Sequence, residues 1–351
     1  MQQFNITTTN SPREKLRTAL AIALGVFCLL SSVKVLACAA CGCTLSKDWE
    51  AQGISGKPGF TADVSVDYLN QDKQRYGTSS ASTSLINSQF NSGQEVEAFT
   101  KTSTITASLI YTADNWGVSA AIPYVTRNHG TYGNNGTGAT TYDANPILTS
   151  SNSGIGDIRI VGRYSGFSTD HSSGIIGGIK LPTGSTSGTF SDGSVLDAGL
   201  QIGSGSTDII LGGYTTGAFD TYGWFVQGTM QHAVATKTLN GAEYRPGDAY
   251  SVNAGIRYAV FGAKVSPMLQ LNIIKRQADT DNNTGVNVPT DPVSGVPVSG
   301  GTLAYLAPGV TVRVGGGASV YGFVQIPIYQ NVNSLQLTPS YTLSMGVRQS
   351  F

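Results

Sequence analysis

The sequence predicts an all-β chain whose strands close into a 12-stranded antiparallel transmembrane β-barrel, preceded by a short N-terminal tail that contains cysteines. Three observations carry that prediction. Apolar and polar residues alternate with a period of two up to the final residue, the connections alternate between long and short, and no run after residue 37 is apolar enough to cross a bilayer as a helix. A chain that crosses lipid without helices must pair every backbone group with another strand, and only a closed barrel does that.

Composition narrows the class. The 351 residues carry 21 basic and 21 acidic side chains, so the net charge is zero. A nucleic-acid binder would show a basic surplus, and that class is set aside. Forty-four glycines exceed the usual share of ~7% and, with abundant Ser, Thr, Asn and Tyr, describe strands and turns.

The N-terminus reads as an address. Arg13, Lys15 and Arg17 precede the apolar run 19–33, and Val35-Leu36-Ala37 fits a signal-peptidase site. A basic flank, a short apolar core and a small residue at the cut make an export signal over residues 1–37. Residues 38–58 then form a tail on the periplasmic side, and residues 59–351 form the barrel.

Each strand follows from its own alternation. The first carries Phe60, Ala62, Val64, Val66 and Tyr68, with Thr61, Asp63, Ser65 and Asp67 between them. The second reads Ile105, Ala107, Leu109, Tyr111; the third reads Trp116, Val118, Ala120, Ile122, Tyr124. The fourth has Ile158, Ile160, Gly162, Tyr164, and the fifth Ile175, Gly177, Ile179, Leu181. The sixth, 207–216, has no clear phase because Ile209 and Ile210 are both apolar. Strands seven to nine start near Trp224, Tyr250 and Val265, and ten and eleven cover 306–314 and 320–328. The twelfth ends Tyr341, Leu343, Met345, Val347, Gln349, Phe351. Six longer connections, 70–98, 126–154, 184–206, 232–248, 276–302 and 330–338, alternate with five tight turns. Long on one side and short on the other, with an even strand count, is the pattern of an outer-membrane barrel.

With both termini periplasmic, Phe60, Tyr111, Trp116, Tyr164, Trp224, Tyr258 and Phe351 fall at one end of their strands. Tyr68, Tyr124, Tyr250 and Tyr341 fall at the other. Two such girdles suit the headgroup levels of a bilayer. The chain's ending, with Gly346 and terminal Phe351, resembles the signal read by the barrel-assembly machinery, although Gln349 stands where an apolar residue is usual.

Several short motifs occur in a familiar order. They are Ile122-Pro123-Tyr124, Gly154-Ile155-Gly156-Asp157-Ile158, Gly178-Ile179-Lys180-Leu181-Pro182-Thr183-Gly184, Ala307-Pro308-Gly309-Val310 and Gln325-Ile326-Pro327-Ile328-Tyr329. Over residues 58–351 the chain resembles the outer-membrane transporter-like barrels named for the MetA pathway of phenol degradation. That resemblance implies an outer-membrane barrel passing small organic compounds; the family name does not make phenol the solute.

Candidate site residues fall in three groups. With the apolar phase facing lipid, Arg159, Arg163, Arg257, Lys264, Arg313 and Arg348 face the lumen, all but Arg159 near the periplasmic ends. Rings of cations favour anionic solutes; lumen salt bridges to Asp63, Asp67 and Asp157 are the competing explanation. Cys38, Cys41 and Cys43 lie within six residues. A disulfide with a lipidated or free Cys38, or a Cu or Zn site completed by a partner, both fit; residue 42 is Gly, which excludes the haem motif. Catalysis has little support, since His129, His171 and His232 stand apart from any nucleophile motif. Asp279-Thr280-Asp281-Asn282-Asn283 begins like a calcium loop but has Thr284 where Gly is required. The expected function is passage of small organic, anionic solutes through the outer membrane, without enzymatic activity and without a cofactor. The rival reading is a barrel that anchors the cysteine tail for a periplasmic metal, redox or protein partner.

Overall fold

The computed structural model describes residues 45, 49, 51, 52, 54, 58–92, 95–132, 141–144, 146–259, 264–282 and 287–351. Residues 1–37, read above as an export signal, and Cys38, Cys41 and Cys43 lie outside the described residues.

Alternating sequence becomes alternating burial. In β1 (Gly59–Gly77), Thr61, Asp63, Ser65 and Asp67 are buried, while Phe60 and Val64 are half exposed on the other face. Exposed apolar side chains recur in β3 (Val96–Thr112), β4 (Trp116–Tyr132), β6 (Ile158–Tyr164), β7 (Ser173–Leu181), β8 (Thr207–Phe219), β9 (Tyr222–Ala235) and β12 (Ala249–Tyr258). They continue through β13 (Val265–Arg276), β14 (Gly301–Gly315) and β15 (Ala318–Ser350). Polar side chains, with apolar clusters among them, fill the inside, and apolar ones cover the outside. Water would penalise that arrangement, and hydrocarbon favours it.

The strands close. β15, β14, β13, β12, β9, β8, β7, β6, β4, β3 and β1 pair antiparallel in that order, and β1 pairs back onto β15, giving a path of eleven assigned strands. Two strands hang outside it: β2 (Ser79–Ser80) on β1 and β5 (Ile147–Ile155) on β4. β5 and β6 share β4 as neighbour, along Tyr124–Tyr132 and Trp116–Ala121, and are separated only by Gly156 and Asp157. The 33 residues of β15 take two neighbours in succession, β14 through Val332 and β1 from there to Ser350. Between the two halves Ser334 takes a left-handed φ of 41°, and Ser350 N bonds to Gly317 O at 3.1 Å.

Several strands run further than the alternation indicates. β1 continues to Gly77, β3 begins at Val96 and β4 reaches Tyr132. Past the apolar band of the outer face, Asp72, Lys73, Gln74 and Arg75 erase the period without breaking the strand. The connection after β2 holds a helix, α1 (Thr83–Asn91), that the alternation does not reveal. Ser82 caps it by accepting from Leu85 N, and Ile86 and Phe90, four apart on one face, pack on Val96 and Leu335. β10 (Thr238–Leu239) and β11 (Ala242–Glu243) form a small hairpin over Asn240-Gly241, both at positive φ as its tight turn requires.

Aromatics ring the short-turn rim. Phe60, Tyr111 and Trp116 form one cluster, with ring centroids 4.9 and 5.3 Å apart, and Phe219, Tyr222 and Tyr258 form another. Trp224 differs from its expected place in the exposed girdle. It lies flat over Gly217, where a Cβ would come within 2.7 Å of the ring, and is buried in the wall. Phe351 closes the seam through its N–H on Phe60 O at 2.9 Å and leaves its ring exposed. Gln349 spends its amide on Gly316 O and Ser350 O, both at 2.8 Å, which gives its departure from the apolar phase a local role.

Candidate functional site: the lumen cavity

Inside the barrel lies a cavity of about 640 Å³. Its wall carries six basic side chains, Arg127, Arg159, Arg163, Lys180, Arg276 and Arg348, and three acidic ones, Asp63, Asp157 and Asp208. Amides from Gln201, Gln227, Gln231 and Asn253 and apolar groups from Ile110, Val161, Ile176 and Ile210 complete it.

Toward the short-turn rim, residues ahead of β1 occupy the barrel. Leu45 and Trp49 are buried against Phe225, Met268, Ala307, Tyr321 and Phe323, with Ile54 packed beside them. Ala51 packs on Ile176 of β7 and Tyr214 of β8. The turn is closed by Ile54 N on Trp49 O at 2.8 Å. Where the sequence suggested a tail outside the barrel, these residues sit within it. Their apolar side chains find cover there that a free periplasmic tail would lack.

Trp49 rests on an ordered seat. Its ring lies 4.1 Å from the Arg348 guanidinium carbon and 5.4 Å, edge-on, from Tyr321. Arg348 Nε donates to Asp63 Oδ2 at 3.0 Å, and the Tyr321 hydroxyl donates to Asp63 Oδ1 at 3.1 Å. Asp63 and Arg348 face each other across the β1–β15 seam, so the closure of the barrel itself builds the seat. Gly346 makes room for it. A Cβ there would stand 2.4 Å from the Tyr321 hydroxyl, so the glycine noted as part of the chain's ending also lets Tyr321 reach Asp63.

Toward the long-loop rim, the connection 182–206 folds inward and is held by buried charge. Lys180 Nζ pairs with Asp208 at 2.8 Å and Asp157 at 3.5 Å, and donates to the hydroxyls of Ser204 and Ser206. Asp157 accepts from Gly184 N at 3.0 Å, Ser204 N at 2.9 Å and Ser204 Oγ at 2.6 Å. Arg127 adds a second clamp through Gly199 O and Gln201 O. Replacing Lys180 with Met leaves two buried carboxylates without their cation, a change that costs about 3–5 kcal/mol. The expected result is rapid proteolytic cleavage within 182–206 in reconstituted protein, at sites the wild type protects. Unchanged protection would remove Lys180 from the clamp.

The six basic residues singled out from sequence part company here. Arg159, Arg163 and Arg348 line the cavity. Arg257 lies on the inward phase, half-buried and close enough to Arg313 to feel its charge, while Arg313 and Lys264 are exposed at the rim. Arg348 is in an ion pair, and Arg163 donates to Thr112 Oγ1 at 2.9 Å. Sequence reading passed over Lys180, although its place between Ile179 and Leu181 puts it on the inward phase. It also passed over Trp49, which lies in a stretch without periodicity. Asp279 and Asp281 serve their loops, accepting from Gly247 N and Tyr244 OH, and from Asn287 N and Val288 N respectively. Asn283 lies outside the described residues.

No protein-family model and no curated protein matches this sequence. Among solved structures the chain is similar to an outer membrane channel from Pseudomonas putida F1, with 10% identity and a TM-score of 0.59 over 85% of this chain and 97% of that one. Weaker likenesses include the translocator domain of the autotransporter NalP from Neisseria meningitidis, at 11% identity and TM-score 0.44 over 95% of this chain and 98% of that one. Another is the Ralstonia pickettii toluene transporter TbuX, at 12% identity and TM-score 0.42 over 86% and 91% of the two chains. The first of these shows the fold, an outer-membrane type of closed β-barrel.

Proposed function

We propose that this chain is an outer-membrane channel that passes small organic solutes, with a preference for anions. One observation carries the reading: a closed barrel, apolar outside and polar inside, encloses a cavity lined by twice as many basic as acidic side chains. The likeness to the Pseudomonas putida channel supports the fold on which it rests. We count twelve staves, taking β5 with β6 as one and β15 as two. The reversal at Ser334 and the separate pairing of its halves with β14 and β1 support that count. On this reading both termini and the short turns face the periplasm, the long loops face outward, and the barrel-assembly machinery inserts the chain. Membership of the MetA-pathway transporter-like barrels rests on the motifs quoted above. The barrel performs no chemistry and needs no cofactor to pass its solute.

Proteoliposomes should swell in arabinose, and faster in arabonate, an anion of similar size. Swelling no faster than that of protein-free liposomes in either solute would overturn the channel reading. Equal rates would remove the anion preference and leave the channel.

A further inference from the structure

The geometry points to a binding site inside the cavity for the carboxylate of an amphipathic organic monoacid, with Arg159 as its anchor; the inference rests on the channel reading. Among the described residues the Arg159 side chain has no hydrogen-bond or ion-pair partner, although it lines the cavity. It feels the charges of Asp157 and Asp208, yet both carboxylates are already engaged. Asp208 is taken up by Lys180 at 2.8 Å, Ser206 Oγ at 2.6 Å and Gln231 Nε2 at 2.5 Å. Asp157 is taken up by the 182–206 connection and Lys180. A guanidinium is permanently charged and offers five donors in a planar fork that fits a carboxylate in two-point contact. Among the described residues no other group takes up that fork, and it faces the lumen.

The surroundings select the rest of the ligand. Arg159 stands opposite Ala121 on one neighbouring strand and Lys180 on the other. On the same inward phases, Val161 and Ile210 lie one step toward the short-turn rim, and Pro123 and Val125 lie on the other side. An apolar body therefore finds contact on both sides of the anchor. Asp157 and Asp208 offset the charges of Lys180 and Arg159, and Arg276 adds a further positive charge nearby, so one negative charge is accommodated and a second is not. A cavity of about 640 Å³ has the size of an ordinary small-molecule site. An aromatic or branched aliphatic monocarboxylate meets all three demands.

Single-channel recordings of the full-length barrel in KCl, with benzoate as probe and benzamide as its neutral counterpart, test the site. Benzoate should block the current in a saturable way, at a concentration at least tenfold below that for benzamide. Arg159→Gln should raise the half-blocking benzoate concentration at least tenfold, with Arg159→Lys in between, since lysine keeps the charge and loses the fork. A conducting wild type that benzoate does not block, or an Arg159→Gln channel blocked at the wild-type concentration, overturns the site and leaves the channel standing. Absence of any conductance overturns the channel reading itself. If Arg159→Gln does not insert, equal block of the wild type by benzoate and benzamide overturns the site.

Discussion

Replacing Trp49 with alanine will raise the single-channel conductance several-fold. The segment ahead of β1 stands in the lumen, and Trp49 is its largest described anchor, packed between Arg348, Tyr321 and the cluster around Phe323. Truncating a buried Trp typically costs about 3–5 kcal/mol. The described residues of the segment before residue 58 belong to no strand, so this loss falls on its docking and spares the sheet. Even about 1.4 kcal/mol shifts an equilibrium between seated and released forms tenfold. Trp49→Phe keeps a ring over the Arg348 guanidinium and should produce a smaller increase. Planar-bilayer recordings on both variants decide the matter. Normal assembly of Trp49→Ala with wild-type conductance would mean that the segment does not obstruct the path.

The fold was legible where lipid imposes a rule. A strand crossing hydrocarbon must alternate, so Ile105 to Tyr111 and Trp116 to Tyr124 could be phased by inspection. Outside the bilayer that rule lapses, which is why β3 and β4 extend beyond those limits and α1 passed unseen. The inner face was legible only as a set of inward positions. Whether an inward arginine is spent or free depends on which strands the closure brings together. Arg348 meets Asp63 because the last strand pairs with the first, 285 residues away, and no spacing in the sequence encodes that contact. Among the described residues Arg159 is left over because Lys180 and the 182–206 connection have taken the carboxylates beside it. Both residues had the same sequence signature. The seat for Trp49 was hidden for a further reason: its segment has neither period nor cap, and its place is fixed by the cavity it fills.

Arg348→Gln will therefore destabilise the barrel, in contrast to the change in benzoate block expected at Arg159. Asp63 and Arg348 are both almost fully buried at 3.0 Å, on register partners of the seam that closes the sheet. Removing the cation strands Asp63 in a site whose other donor is the neutral Tyr321 hydroxyl. Loss of one partner from such a pair costs about 3–5 kcal/mol, much of it the penalty of an uncompensated buried charge. The temperature at which the folded band converts to the unfolded one on semi-native gels should fall for Arg348→Gln and for Asp63→Asn. The double variant should fall by less than the sum of the two, since it leaves no lone charge behind. A strictly additive double variant would show that the two side chains do not stabilise the seam as a pair. If instead Arg348→Gln kept the wild-type transition temperature and shifted the reversal potential, Arg348 would act as a selector of ions, and the seam would owe its stability to backbone pairing alone.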